Sequence, residues 1–168
     1  MRKFILHWGE MGTKWGINRS VAQIHALLYV AGEPLTADEL VEHLEIARSN
    51  VSMSLKELNG WGLIRNVHKT GDRRDHFETH TDVWEMFRII MIERQRREIE
   101  PTVRLLDECV AESEANEATA NPQRHERLVA MQEFMQLSAS WGHRTSGLSA
   151  KKMKKLAQLG DTIFRLID

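Results

Sequence analysis

Cysteine is nearly missing from this chain: Cys109 stands alone among 168 residues. A single thiol excludes an intrachain disulfide and a cysteine-rich zinc module. Long hydrophobic runs are missing too, since no stretch approaches the roughly 18–20 apolar residues that a membrane-spanning helix needs. Met1–Leu6 is too short for the apolar core of a signal peptide, and Glu10 and Lys14 break up the residues after it. A cytoplasmic location with no membrane contact is the expectation. An excess of charge of one sign is also lacking. The 23 Lys and Arg face 24 Asp and Glu, for a formal net charge of −1, so contact with a polyanion must come from local clustering of cations. There is no phosphate loop, no HExxH and no serine in a glycine elbow, and no internal repeat. Neither enzymatic activity nor a cofactor is expected.

What is present is mostly helical pattern. Phe4, Ile5, Trp8, Met11 and Trp15 recur at helical spacing over Met1–Trp15. A second helix carries Val21, Ile24, Leu27 and Leu28 to about Ala31 and stops at Gly32-Glu33-Pro34. Thr36 with Glu39 three residues on predicts a capping box, in which hydroxyl and carboxylate each satisfy an orphan amide. The short helix it opens offers Leu40, Val41 and Leu44 to the core. The next helix, over about Ser49–Asn59, turns Val51, Leu55 and Leu58 inward and Ser49, Met53 and Lys56 outward, flanked by Asn50 and Ser52.

Leu63–Val67 and His76–Thr79 suit two short strands joined by the polar segment Lys69–Asp75, which contains Gly71. A long helix over Asp82–Ala115, with a kink expected at Pro101, would measure roughly 50 Å and exceed what a small monomeric domain can bury. A loop over 116–122 and helices over Gln123–Trp141 and Ser149–Ile167 complete the chain.

Helix, capped short helix, tight turn, second short helix and basic hairpin make a winged helix-turn-helix. In such a head the second helix of the pair enters the major groove of duplex DNA. Small or polar residues on its outer face, here Ser49, Asn50, Ser52, Met53 and Lys56, can approach base edges. Arg48 stands at the helix N-terminus, where free amides favour a phosphate. In the hairpin, Lys69, Arg73 and Arg74 suit the backbone and the minor groove, and Asp72 is placed to orient an arginine by a bidentate pair. Arg48 to Arg74 hold Arg48, Lys56, Arg65, Lys69, Arg73 and Arg74 against Glu57 and Asp72. The near-neutral whole-chain charge conceals this patch.

Residues 35–79 resemble the MarR family of winged-helix regulators, through Leu-Thr-x-x-Glu-Leu, Asn-Val-Ser-x-Ser-Leu-x-x-Leu, Gly-Leu-Ile-Arg and the wing Gly-Asp-Arg-Arg. The opening at 7–19, Asp72-Arg-Arg-Asp-His-Phe and Asp82-Val-Trp-Glu-Met are similar to the GbsR-type branch. The likeness runs to about Glu114 and is weaker beyond. It implies a homodimer joined by terminal helices, a repressor of transcription, often with a small ligand, and it makes Arg74 the minor-groove arginine. That branch includes osmolyte-pathway regulators. A quaternary ammonium osmolyte such as choline or glycine betaine is thus a candidate effector, held by cation–π attraction at Trp8, Trp15 and Trp84. The plainer reading makes these tryptophans core and dimer-interface residues.

The fold class expected is therefore all-α with a small β-hairpin wing. An N-terminal dimerisation helix takes residues 1–19, the DNA-binding head residues 20–80, and a helical dimerisation and effector region residues 81–168. A winged-helix protein-interaction module that binds no DNA is the competing class. His76 and His80 are four apart, but at a strand end that spacing separates them by about 13 Å, too far to share a metal. Cys109, among Val103, Leu106 and Val110, reads as a buried, inert thiol. Lys151, Lys152, Lys154 and Lys155 read as a solvated face.

Overall fold

The computed structural model describes residues 1–115 and 121–167, with side chains up to residue 160 in the last helix. Residues 116–120 of the expected 116–122 loop lie outside the described residues. The chain divides into two compact units, Met1–Met86 and Phe87–Asp168.

The first unit holds α1 (Arg2–Lys14), α2 (Arg19–Ala31), β1 (Leu35–Thr36), α3 (Ala37–Leu44), α4 (Arg48–Gly60), β2 (Ile64–Val67), β3 (His76–Thr79) and the start of α5 (Val83–Arg94). Helix α2 is its axis. Asn18 caps it by accepting from the Ser20 amide at 2.8 Å, and every residue from Val21 to Leu28 is buried. It packs against α1, α4 and β3. On α1 the contact is made by glycine: a Cβ on Gly9 would lie 2.5 Å from the Gln23 Cγ, and one on Gly12 2.5 Å from the Ala22 Cβ. Side-chain-free positions therefore let the two helices meet at backbone distance.

The expected hairpin is present, β2 pairing antiparallel with β3 from Ile64 opposite Thr79 to Val67 opposite His76, and it gains a strand. Leu35–Thr36 forms a third strand, giving an antiparallel sheet of order β1-β3-β2, with Leu35 opposite Phe77 and Thr36 opposite His76. A two-residue strand leaves no alternating pattern to read, and its partner lies some forty residues away. Thr36 thus pairs with the wing while capping α3. Its hydroxyl accepts from the Glu39 amide at 3.3 Å, and the Glu39 carboxylate accepts from the Thr36 amide at 2.6 Å. Both halves of the expected capping box are present. These backbone and hydroxyl donors hold the Glu39 carboxyl below its ordinary pKa.

One half-buried polar relay ties α2 to the sheet. The Thr79 hydroxyl donates to the Leu63 carbonyl at 2.8 Å and lies 3.1 Å from His25 Nε2. With its one proton so committed, Thr79 accepts from His25, which fixes the Nε2–H tautomer. Burial, with His80 adding a smaller effect, lowers the His25 pKa to about 4.

The second unit takes the rest of α5, a π-helical turn (Gln95–Ile99), α6 (Glu100–Ala115), α7 (Pro122–Ser146) and α8 (Ala150–Ile167). The expected kink at Pro101 becomes a π turn that ends just before it. Pro101 has no amide to donate, and a wider turn at 95–99 is where the ladder changes pitch. Thr102 donates to the Glu98 carbonyl at 2.6 Å within the same stretch. α6 and α7 pair antiparallel, through Ser113–His125 at 2.7 Å, Asp107–Gln132 at 2.7 Å and the buried Gln95 amide on the Ala139 carbonyl at 3.3 Å. A Cβ on Gly142 would meet the amide end of the Gln95 side chain, which packs over the glycine here. α7 runs five residues beyond the expected Trp141, because the polar Gly142–Ser146 carries no apolar pattern yet keeps its helical bonds. Cys109 is half-buried rather than buried. No helix among the described residues is long and apolar enough to cross a membrane.

Candidate nucleic-acid interface

α4 shows the two faces that its spacing predicts. Val51, Leu55 and Leu58 are buried against the head, and Ser54 joins them. Arg48, Ser49, Asn50, Ser52, Met53 and Lys56 are all exposed. Leu40, fully buried on α3, closes the core behind the turn between the two helices.

Between α4 and the wing runs an open groove. Its walls include Arg48, Ser52, Lys56 and Asn59 from α4, Asn66 from β2, and Arg73 and Arg74 from the wing tip. Four of the cations named from sequence therefore converge on one surface. Ser49, Asn50 and Met53 lie on the exposed side of the same helix without lining the groove. Lys69 is drawn elsewhere: its ammonium donates to the Pro34 carbonyl at 3.1 Å.

At the wing tip, Asp72 orients Arg74 as the spacing suggests. Arg74 Nε lies 3.0 Å from Asp72 Oδ1 and Nη2 2.6 Å from Oδ2, while the Arg74 amide also donates to Oδ1 at 3.0 Å. These bonds hold the Asp72 carboxyl well below its usual range and raise the Arg74 pKa. His76, buried beneath the tip, approaches Asp72 Oδ2 at 3.5 Å through Nε2 and the Arg74 carbonyl at 3.0 Å through Nδ1. The wing is thus braced from below. Among the described residues, no carboxylate pairs with Arg73 or Lys56. Arg48 instead forms an ion pair with Asp38 of α3.

Among the polar residues that line the groove, Asp38, Asn59, Asn66 and Asp75 escaped the sequence reading as parts of this surface. Asn59 falls three positions after Lys56 and seven after Ser52, so helical spacing alone would have placed it on the reading face. Asp38 and Asn66 carried no such signal, because they reach the groove only through the packing of α3 and the sheet.

Trp8 and Trp15 do meet, with ring centroids 5.8 Å apart at 88°, and Phe4 adds a third ring 5.5 Å from Trp8. Trp84 lies in the first turn of α5, its amide donating to Asp82 at 2.8 Å. His76 and His80 do not converge on a shared ligand point, since His80 Nε2 is hydrogen-bonded to the Gly62 carbonyl at 3.1 Å. Among the described residues, no group of three His, Cys, Asp or Glu is placed to hold a metal ion.

Residues 15–75 match the model of the MarR family. The chain is 26% identical over 98 residues to the HTH-type transcriptional repressor GbsR of Bacillus subtilis (strain 168). That match covers 58% of this chain and 54% of the relative, so the chain spans about half the relative's length. A solved chain described as a transcriptional regulator superposes with a TM-score of 0.65 at 20% identity, over 87% of this chain and 95% of that one. At that identity the likeness is one of fold.

Proposed function

Residues 15–75 make this chain a member of the MarR family, similar to GbsR, and on that premise we propose that it is a DNA-binding repressor acting as a homodimer on a palindromic operator. The observation that carries the reading is the groove where Arg48, Lys56, Arg73 and Arg74 converge beside the exposed face of α4. α4 enters the major groove, with Ser49, Asn50, Ser52, Met53 and Lys56 toward base edges and Asn59 beside them. Arg48 contacts the phosphate backbone, where Lys69 joins it only by leaving the Pro34 carbonyl, and Arg73 and Arg74 reach the minor groove, with Asp72 holding the Arg74 guanidinium in place. Few arginines lie on the reading face, so specificity leans on the wing and on DNA shape.

Dimerisation is supported by what α7 leaves uncovered. Met131, Phe134, Leu137 and Trp141, spaced along one side of the helix, are each more than half exposed, an apolar patch of the kind a second copy covers. Two heads related by a twofold axis would set their α4 helices about 34 Å apart, in successive major grooves. A quaternary ammonium osmolyte is the effector that suits the Trp8–Trp15 pair, by cation–π attraction to a ring face.

Electrophoretic mobility shift with the gene's own upstream duplex, run beside light scattering, tests the proposal. A dimer that retards this duplex in preference to a shuffled one is expected. A folded protein that retards neither duplex would favour the protein-interaction reading, and a monomer would remove the twofold operator.

A further inference from the structure

Of the cations that line the groove, Arg48 alone is held, among the described residues, by a carboxylate from another element. Asp38 lies in the first turn of α3, Arg48 at the start of α4, and the two meet across the turn that joins the helices. Both side chains line the groove and both are more than half exposed. Asp38 is not needed to cap α3, since Thr36 and Glu39 satisfy that helix end between them. Nor does it fill the core. Its carboxylate pairs with Arg48, the cation best placed at the N-terminus of the reading helix to take a phosphate.

We propose that Asp38 is a specificity-determining residue, an acidic latch that keeps Arg48 off the phosphates of unrelated DNA. The inference rests on the DNA-binding reading above. Non-specific binding draws nearly all its strength from phosphate contacts, so withholding one cation weakens it directly. A duplex that lets α4 seat fully in the major groove brings a phosphate close enough to Arg48 to displace the carboxylate. The latch therefore sets how sharply the head separates its operator from bulk DNA.

The test measures binding of the full chain to an unrelated duplex across salt concentrations, for the wild type, Asp38→Asn, Arg48→Ala and the double variant. Asp38→Asn should bind the unrelated duplex up to about fivefold more tightly per head engaged, the most that an exposed ion pair usually contributes. The slope of log affinity on log salt should steepen by about 0.9 per head, the signature of one added phosphate contact. Both changes should vanish in the Arg48→Ala background. Thermal melting checks that each variant folds, and a merely structural role for Asp38 would not move the salt slope. A gain that persists without Arg48 would mean that Asp38 repels phosphates directly, and would overturn the latch. Unchanged affinity and slope in Asp38→Asn would overturn it too, leaving the proposed function intact. A wild-type protein that binds neither its upstream duplex nor an unrelated one would remove both.

Discussion

Replacing Gly12 by alanine should destabilise the head although alanine is the better helix former. The added Cβ would stand 2.5 Å from the Ala22 Cβ, whereas carbon atoms settle at about 3.5–4.0 Å. Ala22 is buried and has no rotamer to turn away, so α1 must lift from α2 by on the order of 1 Å. Overpacking of this kind costs about 1–3 kcal/mol. Alanine's helix preference returns ~1 kcal/mol of that. Gly60 supplies the control, because it is also helical and a Cβ there meets nothing within 4 Å. The preference largely cancels between the two variants, so Gly12→Ala should be less stable than Gly60→Ala by about 1–3 kcal/mol. That difference corresponds to roughly 2–4 °C of melting temperature per kcal/mol in a chain of this size. Urea unfolding followed by tryptophan fluorescence reads it, since Trp8, Trp15 and Trp61 all lie in the first unit. If Gly12→Ala proves as stable as Gly60→Ala, the close approach of α1 to α2 is refuted.

Arg74→Ala should weaken binding to the upstream duplex while leaving the melting temperature and the oligomeric state unchanged; equal affinity in fluorescence anisotropy would take the wing out of the interface. Stability should fall on acidification through His25. Its folded pKa of about 4 lies below the ordinary 6.5, so the unfolded chain binds the extra proton between those values, and the contribution is complete above 6.5 and lost as the pH falls toward 4. From pH 6.5 to 5 the loss should be about 1.5 kcal/mol, and urea titrations should show a flatter pH dependence for His25→Gln. Calorimetry with choline and with glycine betaine should show heat that Trp8→Ala and Trp15→Ala abolish; no heat from the wild type would remove the aromatic pair from the effector reading.

How much could be read in the sequence depended on how local the determining forces were. Val51, Leu55 and Leu58 repeat at helical spacing, so the buried side of α4, and with it the exposed side, was directly legible. The capping box at Thr36 and Glu39 and the Asp72–Arg74 pair span three residues or fewer and were equally plain. β1 was not, because two residues make no alternation and their partner strand lies far along the chain. The glycine contacts of α1 were invisible for a different reason: Gly9 and Gly12 add nothing to a hydrophobic pattern, although they decide how closely α1 lies on α2. The π turn hid within the polar Gln95–Ile99, where Pro101 drew attention one turn too late. The Asp38–Arg48 pair depends on the angle between two helices, which spacing within either one cannot give.

Salt dependence of binding to the upstream duplex reads out phosphate contacts in the α4–wing groove. If six to ten phosphates of the duplex meet cations such as Arg48, Lys56, Arg73 and Arg74 from the two heads, affinity should fall by about 10³–10⁵ between 50 and 200 mM salt, while preference over a shuffled duplex persists. Affinity that ignores salt across that range, or no binding at its lower end by a folded dimer, would contradict the assignment of the α4–wing groove to DNA.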